Sequence, residues 1–64
     1  MKFIQVDNEG FELGVTYRMD SVEELVQLHC DTYVFGEQIT YDTDEYSVRI
    51  HTNYGTLIFR IEEV

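Results

Sequence analysis

The sequence predicts an α+β fold, in which an antiparallel sheet of about five short strands, in the order ββαβββ, carries one amphipathic helix packed on one face. Two observations support this. Most of the chain consists of short segments in which apolar and polar residues alternate, the period of a half-buried strand. Between the second and third segments the apolar spacing changes to three and four residues, the period of a helix that buries one face. We expect residues 1–64 to form a single small domain with no linker.

The first predicted strand is Lys2–Val6, and we assign Ile4 and Val6 to its core face and Phe3 to the opposite face. Asp7–Gly10 follows as a cluster of turn formers that ends in a residue tolerating positive φ.

The second predicted strand, Phe11–Arg18, shows the clearest alternation in the chain, with Phe11 and Tyr17 on its core face. Gly14 interrupts it and indicates a bulge or a close approach by another element.

The helix begins where Ser21 and Glu24 can form a capping box, with Ser21 as the N-cap; Asp20 with Glu23 is a rival register. In either case acidic side chains occupy the first turn, where the helix dipole favours them. The apolar stripe continues for about ten residues and ends near residues 30–31.

The second half predicts three strands. They are Tyr33–Tyr41 with a glycine bulge, Tyr46–His51 and Leu57–Glu62, separated by turns at Asp42–Glu45 and Thr52–Gly55. In each hairpin the apolar sets align only if the connection has an even number of residues, and four fits all three turns. The core-facing aromatic residues of this half are Tyr41, Tyr46 and Phe59. The strand order, and whether all strands share one sheet, do not follow from the sequence.

Thirteen acidic residues against four basic ones give a net charge of −9. If the strands alternate in direction, eight of the acidic residues gather at one end of the domain. They are Asp20, Glu23, Glu24, Asp42, Asp44, Glu45, Glu62 and Glu63. Turns and helix starts recruit carboxylates for local reasons, and charge aids solubility, so the cluster has a structural explanation as well as a functional one.

As a functional surface, this cluster predicts a small protein-binding module, an adaptor or an inhibitor, that docks on a basic surface of another protein. One version is a nucleic-acid mimic, whose carboxylates occupy a groove that normally binds phosphates. Direct binding to nucleic acid is disfavoured because phosphate contacts need Lys and Arg, which are scarce here.

The alternative function is a self-associating structural domain whose acidity serves only solubility. A chain of this size buries only about 60% of its unfolded surface, so association would add stability, and a homodimer is one expected state. The candidate apolar interface is formed by side chains that no second helix covers, namely Phe3, Tyr33, Phe35 and Ile58.

We predict no enzyme activity, cofactor or metal site, because no nucleophile, acid–base or metal-ligand spacing appears. His29 fits a core or interface position and His51 a solvated one, although a nearby carboxylate in a cleft would favour catalysis. The chain lacks a membrane-spanning run and a signal pattern, and its single cysteine fits a reducing compartment, so we expect a cytoplasmic protein that does not bind membranes.

Overall fold

The computed structural model, which describes residues 1–32, 40–52 and 54–63, shows one five-stranded antiparallel sheet and one helix. The elements in chain order are β1 (Lys2–Val6), β2 (Glu12–Arg18), α1 (Val22–Thr32), β3 (Thr40–Thr43), β4 (Ser47–Thr52) and β5 (Gly55–Glu62). The α+β class and the ββαβββ order are therefore confirmed. The strands lie in the order β2-β1-β5-β4-β3, so the N-terminal hairpin joins the other three strands in one sheet.

The core lies between α1 and one face of the sheet. Its completely buried side chains are Phe3, Leu25, Val48, Ile50 and Phe59. Half-buried residues of β2 and α1 pack around them, among them Tyr17, Val22 and Val26. Burying an aliphatic or aromatic side chain of this kind contributes about 1.5–3 kcal/mol each, so these five account for much of what holds the helix on the sheet.

The prediction for the faces of β1 is wrong. Phe3 is completely buried in the core under α1, whereas Ile4 and Val6 are buried on the opposite face, outside that core. The reason is the length of the first connection. Val6 pairs with Glu12, which leaves five residues between them instead of four. A change of one residue in a hairpin connection moves every side chain of one strand to the other face.

Phe11 and Tyr46 also differ from prediction, since they are 66% and 73% exposed and do not face the core. Both lie outside the strands, in turns organised by an aspartate. Asp7 Oδ1 accepts hydrogen bonds from the backbone N–H groups of Glu9 and Phe11, each at 2.9 Å. Because the turn holds the backbone of Phe11, its side chain no longer follows the alternation of β2.

The bulge predicted near Gly14 is present. Ile4 pairs with Thr16 and Val6 with Glu12, so three residues of β2 stand opposite the single residue between Ile4 and Val6. Gly14 has φ +81°, a left-handed conformation that residues with a Cβ rarely adopt. β2 thus has two residues more than β1 at this point. Because two is an even number, the side chains of β2 keep the same alternation between the faces before and after the bulge.

The hairpins of the second half keep their predicted faces. Thr52 pairs with Gly55 and Val48 with Phe59, as the apolar alignment of β4 and β5 predicts. The turn between β3 and β4 lies two residues later than predicted on each strand, because Thr43 pairs with Val48. Asp42 is therefore a strand residue, and a shift of two residues leaves the faces unchanged. The predicted strand residues 33–39 lie outside the described part of the chain.

Candidate functional site

The strand directions place all eight predicted acidic residues at the same end of the sheet. β2 and β5 both end there, since Lys2 at the start of β1 pairs with Arg18 and with Glu62. α1 begins just after β2, and the turn between β3 and β4 lies at this end as well. We call the following residues the acidic end: Asp20, Glu23, Glu24, Asp42, Asp44, Glu45, Glu62 and Glu63.

Backbone hydrogen bonds hold the elements of the acidic end together. The N–H of Met19, just after β2, donates to the carbonyl of Met1 at 3.0 Å. The N–H of Ile61 donates to the carbonyl of Tyr46 at 2.7 Å, which ties β5 to the turn before β4. The acidic side chains therefore project from a connected rim and not from a loose chain segment.

At the helix start, the carboxylates have a local structural role. Ser21 Oγ accepts a hydrogen bond from the N–H of Glu24 at 3.2 Å, and a carboxylate oxygen of Glu24 accepts one from the N–H of Asp20 at 3.2 Å. This identifies Ser21 as the N-cap, as in the first of the two predicted registers. Glu23 is exposed, and no hydrogen bond or ion pair is formed by its side chain within the described residues.

Asp44 organises the turn between β3 and β4. Its Oδ1 accepts hydrogen bonds from the N–H groups of Tyr46 at 2.8 Å and Ser47 at 2.9 Å. These two backbone donors, assisted by the Ser47 hydroxyl and the charge of Arg49, hold the pKa of the Asp44 carboxyl below its ordinary value. Asp44 therefore remains ionised to a lower pH than an isolated aspartate.

Few of these carboxylates are neutralised by ion pairs. Glu62 lies 3.7 Å from both Lys2 Nζ and Arg60 Nη2, and Asp42 lies 2.8 Å from His51 Nε2. In the part of the chain that the structure describes, no ion pair engages the remaining six members: Asp20, Glu23, Glu24, Asp44, Glu45 and Glu63.

The predicted apolar interface is not assembled as expected. Phe3 belongs to the core, for the reason given above, and Ile58 is half-buried on the face opposite α1. Tyr33 and Phe35 lie outside the described residues. Large apolar side chains are exposed elsewhere, and those in the described ranges are Phe11, Leu13, Tyr41, Tyr46 and Tyr54.

His29 lies against the core. Its ring contacts that of Tyr17 edge to face, with centroids 6.1 Å apart, and that of Phe59 with centroids 5.6 Å apart. Burial lowers the pKa of His29 below its ordinary value of 6.5, so the neutral ring is the form that fits this position.

His51 lies on the face opposite α1 and links three strands. Its Nε2 is 2.8 Å from Asp42 Oδ2 on β3, and its Nδ1 is 3.2 Å from Thr56 Oγ1 on β5. A carboxylate, an imidazole and a hydroxyl in sequence also occur in nucleophilic active sites. Here the side chains of His51 and Asp42 are 42% and 80% exposed, and neither residue lines either of the two cavities described. The group is a surface network that bridges strands.

The alternation in the sequence already puts Arg18, Arg49 and Arg60 opposite the apolar residues of their strands, but it did not bring all four basic residues together on one face. The strand pairings and the alternation of side chains place all four on the sheet face opposite α1: Lys2, Arg18, Arg49 and Arg60. The signal was the parity of these positions along their strands. It was hidden because the misassigned face of β1 put Lys2 with the core residues.

Across residues 1–32, 40–52 and 54–63, no group of three or more metal-ligating side chains converges. The same ranges contain no helix with both the length and the apolar character that crossing a membrane requires. No protein family model matches the chain, and neither the curated proteins nor the solved structures include a significant match to it.

Proposed function

We propose that this chain is a cytoplasmic protein-binding module that docks its acidic end on a basic surface of a partner protein and acts by binding, not by catalysis. The observation that supports this proposal most is the set of six carboxylates at one end without an ion pair in the described structure. Charges left unpaired on one side of a small protein create a directional field that steers association with a cationic partner.

The dimensions of the acidic end support the nucleic-acid mimic as the more specific version. Five strands spaced about 4.8 Å apart make the sheet about 19 Å wide, so the six carboxylates without an ion pair in the described structure give one negative charge per ~3.2 Å of width. Duplex DNA carries one charge per about 1.7 Å, and each of its strands one per about 3.4 Å. A partner surface built to bind phosphates would therefore meet a similar charge density. On this proposal the module inhibits such a partner by displacing its nucleic acid.

Affinity capture from native cytosol at two salt concentrations tests the docking proposal. The test variant is Glu45→Lys with Glu63→Gln, which raises the net charge by three, as the control does; neither side chain forms a hydrogen bond or ion pair within the described residues. The matched control is Asn8→Lys with Glu9→Lys, two exposed positions in the turn at the opposite end. We expect basic partners that bind at low salt, are released at high salt and are lost with the test variant only.

Two results would contradict docking through the acidic end. One is a partner that binds the test variant as strongly as it binds the unmodified chain. The other is equal loss in the control, which would mean that only total charge matters. If the chain is a nucleic-acid mimic, adding it should displace DNA or RNA from the captured partner. The amount released should match the fraction of the partner that is bound to the chain.

Self-association is the second candidate function. The observation that favours it is the pair of exposed apolar side chains Phe11 and Leu13, 66% and 51% exposed, at the start of the edge strand β2. A dimer built on such contacts should respond little to salt, so sedimentation of the purified protein at the same two salt concentrations separates it from docking.

A further inference from the structure

A groove lies on the sheet face opposite α1, between the turn Asp7–Gly10 and strands β4 and β5. It has a volume of about 370 Å³, at the lower end of the range for pockets that hold small organic ligands. The strand residues that matter to the argument are Val6, Ser47, Arg49, Ile58 and Arg60.

The groove combines an apolar floor with two guanidinium groups. Ile58 is the cross-strand partner of both Val6 on β1 and Arg49 on β4, so these three side chains form a row across the face. Arg60 follows two residues after Ile58 and therefore lies on the same face, diagonal to Arg49. A ligand resting on Val6 and Ile58 would have both arginines within reach.

Arg49 forms no ion pair with any carboxylate in the described part of the chain. Its direct cross-strand partner is Asp42, yet Asp42 Oδ2 bonds to His51 Nε2 at 2.8 Å and forms no ion pair with Arg49. Asp44 lies close enough to feel the charge of Arg49, but its Oδ1 is bonded to two backbone N–H groups. Both neighbouring carboxylates are therefore engaged elsewhere, Asp42 by His51 and Asp44 by the backbone. The exposed guanidinium of Arg49 faces the groove.

Arg60 is held in place and still has donors to offer. Its Nη2 lies 3.1 Å from a Glu12 oxygen and 3.7 Å from a Glu62 oxygen, and both contacts use this one nitrogen. A guanidinium carries five N–H donors in a fixed fork, so several remain for a ligand. An arginine already fixed by carboxylates loses less side-chain entropy when it binds a further group.

The surroundings limit the kind of anion that fits. The net charge of −9 repels polyanions, and Asp7 and Glu9 on the turn side of the groove add local negative charge. A single carboxylate placed at the arginine side avoids Asp7 and Glu9. Glu12 and Glu62 lie near Arg60 on that side, where Arg60 already pairs with both. An apolar body on Val6 and Ile58 adds burial that offsets the remaining repulsion. We infer that this groove binds a small amphipathic carboxylic acid, with its carboxylate between Arg49 and Arg60.

Titration of the ¹⁵N-labelled chain with sodium octanoate tests the inference. We expect saturable shifts of backbone signals confined to the groove, with a Kd of about 1 mM or tighter. Inorganic phosphate at the same concentration should bind at least tenfold more weakly because it lacks an apolar body. Octanol should also bind at least tenfold more weakly than octanoate, because it lacks the negative charge.

Matched variants assign the carboxylate site. Arg49→Gln should weaken octanoate binding about tenfold or more, whereas Arg18→Gln, on the same face but outside the groove, should leave it unchanged. Two further variants should act in opposite directions. His51→Val releases Asp42 to pair with Arg49 and should weaken binding, whereas Asp42→Asn removes that competitor and should strengthen it.

Several results would overturn the inference. They are the absence of saturable shifts, shifts that Arg49→Gln leaves unchanged, and phosphate or octanol binding as tightly as octanoate. A further one is movement of the groove signals with protein concentration alone, which would mean that a second copy of the chain occupies the groove. Far-UV circular dichroism of each variant confirms that its fold is retained, and the opposite signs expected for His51→Val and Asp42→Asn do not depend on Arg49→Gln being folded.

Discussion

Arg60 Nη2 donates to Glu12 Oε2 at 3.1 Å, joining β5 to β2 across the intervening strand β1. Arg60 is the cross-strand partner of Ile4, and Glu12 is the partner of Val6. The ion pair therefore crosses β1 over these two apolar side chains. This accounts in part for their burial on a face that no helix of the described residues covers, because a long arginine side chain shields apolar surface with its methylene groups.

The Arg60–Glu12 pair should contribute modestly to stability. Both side chains are about half exposed, and ion pairs of this kind are worth roughly 0.2–1 kcal/mol. A double-mutant cycle with Arg60→Gln and Glu12→Gln, measured by urea unfolding, should give a coupling energy in that range that falls as salt is added. A coupling of zero at low salt would show that the bond does not persist in solution.

Truncation of Phe3 should destabilise the protein far more than truncation of Phe11. Phe3→Ala removes a completely buried ring and should cost about 3–5 kcal/mol, enough to unfold much of a domain this small. Phe11→Ala, the matched control, truncates a ring that is 66% exposed and should change the unfolding free energy by less than about 0.5 kcal/mol. Circular dichroism and urea unfolding measure both. Equal costs would contradict the assignment of the faces of β1.

Ser21→Ala should destabilise the protein by about 1 kcal/mol, because it removes the acceptor for the N–H of Glu24 at the helix start. Asp20→Ala is the control, since the backbone of Asp20 and not its side chain takes part in the cap. Its effect on the midpoint of urea unfolding should be clearly smaller. The reverse ranking would indicate the rival register, in which Asp20 caps the helix.

His29 should make stability depend on pH on the acid side of neutrality. Burial lowers its pKa in the folded state below the ordinary 6.5, so the unfolded chain takes up a proton first. Its contribution to stability is therefore complete above pH 6.5 and is lost as the pH falls from 6.5 through the lowered pKa.

Urea unfolding at several pH values between about 5 and 7 measures the effect of His29. His29→Gln should reduce the fall in stability over this interval, while His51→Gln, which changes the exposed histidine, should preserve the part due to His29. An unchanged fall in His29→Gln would contradict the assignment.

The hairpin of β4 and β5 was predictable because its apolar positions align in one register and its turn ends in Gly55. The faces of β1 were not, because Phe3, Ile4 and Val6 offer apolar side chains to both sides of a five-residue strand. Only the length of the connection decides between the faces. Phe11 sets that length. In the sequence it continues the apolar alternation of β2, but in the structure it belongs to the turn before β2.

The acidic end followed from the sequence because it depends only on which way each strand runs. The groove did not, because it requires the order of strands in the sheet and the correct face of β1. Arg49 and Arg60 lie in separate strands with a turn between them, and Val6 joins them only because β1 inserts between β2 and β5. Long-range pairing of this kind leaves no trace in the local pattern of a single chain.

The irregular pairing at Gly14 also bears on how the chain behaves when concentrated. β2 lies at one edge of the sheet, where unpaired backbone groups can recruit further chains into fibrils. Three residues opposite one distort that edge, and a glycine at φ +81° breaks the flat row of donors and acceptors that growth would need. We therefore expect a substitution that straightens β2 at Gly14 to increase aggregation through this edge.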